Sequence, residues 1–114
     1  MSESRIVATV VRSGEGAWRA LSVPGISIRV LRDDKDTGES TALLRFEAGT
    51  RFPAHDHPGG EQIFVLEGDL QIGRDRLRAG DYLSTPPNGR HAASSEHGCL
   101  IRVTLPKPIE IIRD

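Results

Sequence analysis

Short runs rich in β-branched and large apolar residues recur along the chain: RIVATVV, ISIRVL, TALLRF, QIFVLEG, DLQI, DYLS and CLIRVTL. Turn-forming groups such as SGEG, VPG, DDKDTGES, PGG, EGD and PPNG separate them, a spacing that predicts a β-sandwich or barrel. No window carries apolar residues at helical spacing for three turns, and frequent Gly and Pro would interrupt such a helix early, so an all-β fold is expected. Strand alternation adds a detail at residues 61–66: if Glu61 points inward, so do Ile63 and Val65, while Gln62, Phe64 and Leu66 face the other way. Both faces are largely apolar. A central strand needs this when its outer face is covered by another layer or subunit, so a homodimer is expected.

A length of 114 residues fits a single domain spanning 1–114, with a core at about 18–104 and an N-terminal arm at 1–17. Trp18, followed by Leu21, Val23 and Pro24, is expected to pack an N-terminal arm against the barrel or a second subunit, and a plain core position is a better assignment for it than stacking on a ligand. The 16 acidic and 15 basic residues nearly cancel, and no Lys/Arg run would track a phosphate backbone, so nucleic acid is not an expected partner. No apolar stretch approaches the roughly 20 residues of a membrane helix. The first residues lack the apolar core and cleavage signal of a leader, and the lone Cys99 has no internal disulfide partner, so a cytoplasmic location is expected.

The candidate chemistry lies in AHDHPGGEQ and TPPNGRHA. His55 and His57 are two apart, which on an extended strand puts both rings on one face. The following Pro58-Gly59-Gly60 predicts a turn that returns Glu61 toward the same face, and a second Pro/Gly turn precedes His91. Imidazole and carboxylate donors suit a first-row divalent ion. An isolated His-x-His can be a chance surface pair, and Glu61 alone a solvated turn residue. The joint placement of His55, His57, Glu61 and His91 at turn-flanked strand positions favours a single metal site. His97, in SSEHGC, is expected to be an exposed loop residue.

GTRFPAHDHPGGEQIFVLEG resembles the first cupin motif, G-x5-H-x-H-x3-E-x6-G, through Gly49, His55, His57, Glu61 and Gly68. GDYLSTPPNGRHAAS resembles the second motif through Gly80, Pro86 and His91, with the inner glycine, Gly89, one place late and Ser95 at the terminal asparagine position. The resemblance implies a double-stranded β-helix, the cupin jelly-roll barrel, holding one divalent ion: Zn, Fe, Mn or Ni. More narrowly, the chain is similar to the cupin domain of zinc-binding anti-sigma factors and to small dioxygenases that cleave diketones or hydroxyacetophenones. The chain begins with β-like sequence and no Cys/His cluster, so a transcriptional role in cis is not expected.

Two functions follow from the resemblance. In the first, a metal-dependent dioxygenase acts on a small diketone or aromatic-ketone-like substrate, with Arg51, Tyr82, Arg102 and Gln62 as candidates to orient it at the barrel mouth. In the second, a non-catalytic zinc-binding module senses stress or binds a ligand, with Cys99 as a redox handle if it approaches the metal. A small buried strand residue is the simpler assignment for Cys99. An epimerase-like or vestigial site ranks below both, because no acid–base set stands out beside the ligands.

Overall fold

The computed structural model describes residues 7–107 and 110–111. Its strands are β1 (Arg19–Ala20), β2 (Ile26–Asp33), β3 (Ser40–Phe46), β4 (Thr50–His57), β5 (Glu61–Ile72), β6 (Asp75–Arg78), β7 (Tyr82–Thr85), β8 (Gly89–Ser95), β9 (Cys99–Leu105) and β10 (Glu110–Ile111). Every pairing is antiparallel, and the described residues contain no helix. The strand order β1-β2-β3-β9-β5-β8-β4-β10 curls into the double-stranded β-helix expected from the sequence.

β5 joins the two layers. Its first part pairs with β9 and β7, and its last residues pair with β6 and β8. The strands predicted at QIFVLEG and DLQI are therefore one element. A bulge between Val65 and Glu67 supplies local twist, and Gly68 follows at φ +80°. A Cβ at Gly68 would lie 2.0 Å from the Gly98 carbonyl oxygen, so only glycine lets the two backbones approach there.

Register lines up the inward residues of four strands in rows. Val30, Ala42, Val103 and Ile63 make one row; Ile28, Leu44, Ile101 and Val65 make the next. Phe52, Ala93 and Ile72 form the corresponding row in the opposite layer. Val65 and Leu70 are completely buried, each contributing about 1.5–3 kcal/mol of apolar burial. The alternation predicted for residues 61–66 holds: Glu61, Ile63 and Val65 are buried, whereas Gln62 and Leu66 are exposed. Phe64, on the outer face, is half-buried with the Arg102 guanidinium 5.6 Å from its ring centroid.

Two expectations near the N-terminus require correction. Residues 7–11 of the predicted RIVATVV strand are exposed and unpaired, with Val7 78% exposed; residues 1–6 lie outside the described residues, as does most of the chain after Lys107. High β-propensity produces no strand where no neighbour supplies hydrogen bonds. Trp18 is not a core residue. It is 38% exposed, and the Arg45 guanidinium stands 5.1 Å from its ring centroid on the outside of the sheet.

Candidate metal centre

Three strands bring His55, His57, Glu61 and His91 together. His55 and His57 end β4, Glu61 begins β5, and His91 on β8 is the direct register partner of His55. Phe52 and His55 are three residues apart yet both buried, which strict alternation forbids. A register shift across Pro53 and Ala54 inserts the extra residue and re-aims His55 inward. The two motifs are then tied at one atom. The His57 carbonyl accepts from Gly60 N at 3.0 Å and from Asn88 N at 2.7 Å. Asn88, at φ +67°, takes the left-handed position of the second turn, which explains how the pattern tolerates Gly89 one place late.

The donor atoms of the four side chains all lie within 4.8 Å of one another. His57 Nε2 is 3.1 Å from His91 Nε2 and 3.4 Å from Glu61 Oε1, and His91 Nε2 is 3.1 Å from the same oxygen. His55 Nδ1 donates to the Pro53 carbonyl at 2.7 Å; because a carbonyl only accepts, Nδ1 carries a proton, and in the neutral tautomer Nε2 is the nitrogen with the lone pair. Burial pushes the His57 imidazole down to about 4; Glu61 pulls the other way, and His55 and His91 add to the lowering. The ring is therefore neutral at neutral pH. Its Nδ1 is buried with no hydrogen-bond partner among the described residues.

This arrangement fits a divalent cation. Three imidazole nitrogens and a carboxylate oxygen converge in a site where Glu61 is 7% exposed and His57 1%. Among the described residues only histidines stand within ion-pair distance of Glu61, so no Lys or Arg offsets its buried charge. A buried carboxylate with no Lys or Arg beside it is costly alone, and together with the imidazoles it makes the donor set that first-row divalent ions take.

One side of the cluster faces a cavity of about 440 Å³. His55, Glu61 and His91 form its polar end, and its walls are mostly aliphatic and aromatic. None of Arg51, Tyr82, Arg102 or Gln62 lines it, so the structure does not bring these orienting candidates to the site. Parity is the reason. Arg51 and Gln62 are out of phase with inward Phe52 and Ile63, Arg102 lies between inward Ile101 and Val103, and Tyr82 pairs with outward Phe64. The cavity walls that sequence reasoning missed, such as Ala42 and Leu44, share the parity of buried Phe46 in TALLRF, which was the available signal.

Cys99 is buried on β9 and does not line this cavity. Burial pushes its thiol up to about 11, which makes it a poor thiolate and an inert strand residue. His97 is exposed as expected, but it is not idle. Its Nδ1 lies 3.2 Å from Asp69 Oδ1, and Asp69 also accepts from the backbone N–H groups of Glu96 and His97. Burial raises the Asp69 carboxyl, but these donors outweigh it and hold the group below its usual range. The pair fastens the β8–β9 turn.

Comparison with known proteins supports this description. The chain is 27% identical over 79 residues to an acetylacetone-cleaving enzyme of Acinetobacter johnsonii, a match covering 69% of this chain and 52% of that enzyme. It spans 23% and 52% of the lengths of the two curated relatives it matches. An RmlC-like cupin from Ralstonia eutropha superposes with a TM-score of 0.87 at 19% identity, covering 96% of this chain and 74% of that one. The complex of Rhodobacter sphaeroides SigE with the anti-sigma ChrR gives a TM-score of 0.72 at 26% identity, covering 82% of this chain and 51% of that one. The family model of the ChrR cupin-like domain matches residues 7–107, and the chain belongs to that family.

Proposed function

We propose that His55, His57, Glu61 and His91 hold one divalent ion, and that the protein is a metal-dependent cupin acting on a small molecule in the adjoining cavity. The observation that carries this is the continuity of donor set and cavity: the side chains that would hold the ion also form the cavity's polar end. The activity most in keeping with it is that of a dioxygenase on a small diketone or aromatic-ketone-like substrate, for which the acetylacetone-cleaving relative gives support. Iron, manganese, nickel and zinc all accept this donor set; bound there, the ion would supply Lewis-acid and, for iron, redox chemistry toward dioxygen.

The chain's own contribution is positional and electrostatic. The Pro53 carbonyl fixes the His55 tautomer, the buried Glu61 carboxylate supplies negative charge for the ion, and apolar walls line the space beside it. The decisive experiment is metal analysis of protein purified without added metal, followed by dioxygen uptake with acetylacetone. Bound iron with substrate-dependent uptake supports the enzyme. Zinc held tightly with no uptake supports the second reading, a zinc-binding sensing module, which family membership favours. Cys99 is not its redox handle.

As further parts of the proposal, residues 1–114 form one domain that works in the cytoplasm as a homodimer. Exposed Leu66 and half-buried Phe64 on the outer face of β5 mark where such a dimer contact would lie. Light scattering at micromolar concentration that returned the monomer mass of 12.4 kDa would remove the dimer from the account.

A further inference from the structure

The cavity is much larger than its polar end needs. It occupies about 440 Å³, the liquid volume of about fifteen water molecules. From Glu61 on β5 its walls run across β9 and β3 to Ile28 and Val30 on β2. Three inter-strand spacings separate β5 from β2, about 14 Å along the curved sheet. Val30 is 43% exposed and lines the cavity, so the far end opens beside the β2 edge. Beyond His55, Glu61 and His91, the described residues that line it are apolar apart from Ser22, Asp33, Gly38 and Ser40.

We propose that the cavity selects an elongated molecule that meets the ion through an oxygen donor at one end and carries an apolar body at the other, and that Ala42 admits that body. The inference rests on the metal-site reading above and names the substrate class of the same site. Ala42 belongs to the row Val30–Ala42–Val103–Ile63, adjacent to the level of Glu61 and midway between the metal ligands and the opening. It is the smallest side chain in that row. A larger one there would divide the cavity into a small chamber at the ligands and an empty one at β2. The ion that the histidines and Glu61 would hold is the ligand's anchor at the polar end, so one end of the ligand must present a donor to it.

The test uses the full-length protein loaded with Zn(II), without dioxygen, and isothermal titration calorimetry with acetylacetone and 1-phenyl-1,3-butanedione. The phenyl ring adds roughly 100 Å² of apolar surface, so 1-phenyl-1,3-butanedione should bind at least tenfold more tightly than acetylacetone, with a more negative heat-capacity change. In Ala42→Phe the tenfold preference should fall toward one, with zinc content retained. Val30→Glu, at an exposed position that tolerates change, should reduce the preference as well and covers the case in which Ala42→Phe fails to fold. Zinc-loaded protein that binds both diketones equally, or keeps its preference in both variants, overturns this inference alone. Wild-type protein that takes up no zinc overturns the metal-site reading and this inference together.

Discussion

Acidification should destabilise the metal-free protein through one imidazole. Folded, His57 is held near 4 by burial; unfolded, it titrates near 6.5, so between those values the unfolded chain binds the extra proton. The stabilisation is present in full above pH 6.5 and is lost as pH falls toward 4. A shift of this size corresponds to roughly 3 kcal/mol in all, of which about 2 kcal/mol should disappear between pH 7 and pH 4.5. His57→Leu removes the titrating group and keeps a side chain of comparable volume. Urea denaturation of chelator-treated wild type and variant at pH 7, 5.5 and 4.5 isolates His57 and its immediate neighbours, because titration of groups remote from it cancels in the difference. The wild type should lose about 2 kcal/mol relative to the variant over that interval. A difference that stays constant with pH, or that moves in favour of the wild type on acidification, would refute the burial argument for His57.

Other substitutions test other parts of the account. His55→Ala and His91→Ala should each lower metal content sharply and abolish most of the rise in melting temperature that zinc gives the wild type, a rise worth about 4 kcal/mol at a thousandfold excess over Kd; calorimetric scans with and without zinc check this. Gly68→Ala should cost more than about 3 kcal/mol, since the new Cβ meets the Gly98 carbonyl in a left-handed backbone, and should show as a large drop in the urea midpoint. Cys99, buried and with its thiol raised to about 11, should react with a thiol reagent at pH 8 only after denaturant is added; complete reaction of the native protein within minutes would contradict its placement.

The ligand cluster was legible because the sequence encodes it locally. His55 and His57 share a face by strand parity, Glu61 follows a four-residue turn, and a glycine- or asparagine-led turn precedes His91. The inward set of β5 was legible for the same reason. What parity could not deliver is any feature that breaks it. The extra residue at Pro53–Ala54 keeps Phe52 and His55 on one face, and nothing in FPAH distinguishes a bulge from an ordinary strand entry. β6, in the charged stretch DRLR, forms because β5 offers it an edge, a tertiary cause without a local hydrophobic signal. Residues 7–11 have the composition of a strand and no partner, the converse case. The cavity was illegible for a further reason: whether facing apolar residues interlock or leave a space depends on how far apart the two layers stand, and small side chains such as Ala42 and Ala93 signal it only weakly.

The central claim is that one metal ion belongs among these four side chains. Crystals of protein purified without added metal, with anomalous diffraction recorded at the manganese, iron, nickel and zinc edges, test it most directly. The account predicts a single anomalous peak bounded by the ring nitrogens of His55, His57 and His91 and a carboxylate oxygen of Glu61, with the apolar cavity on its open side. A fully ordered site with no peak at any edge, even after soaking in zinc, or a peak held by other residues, would contradict it.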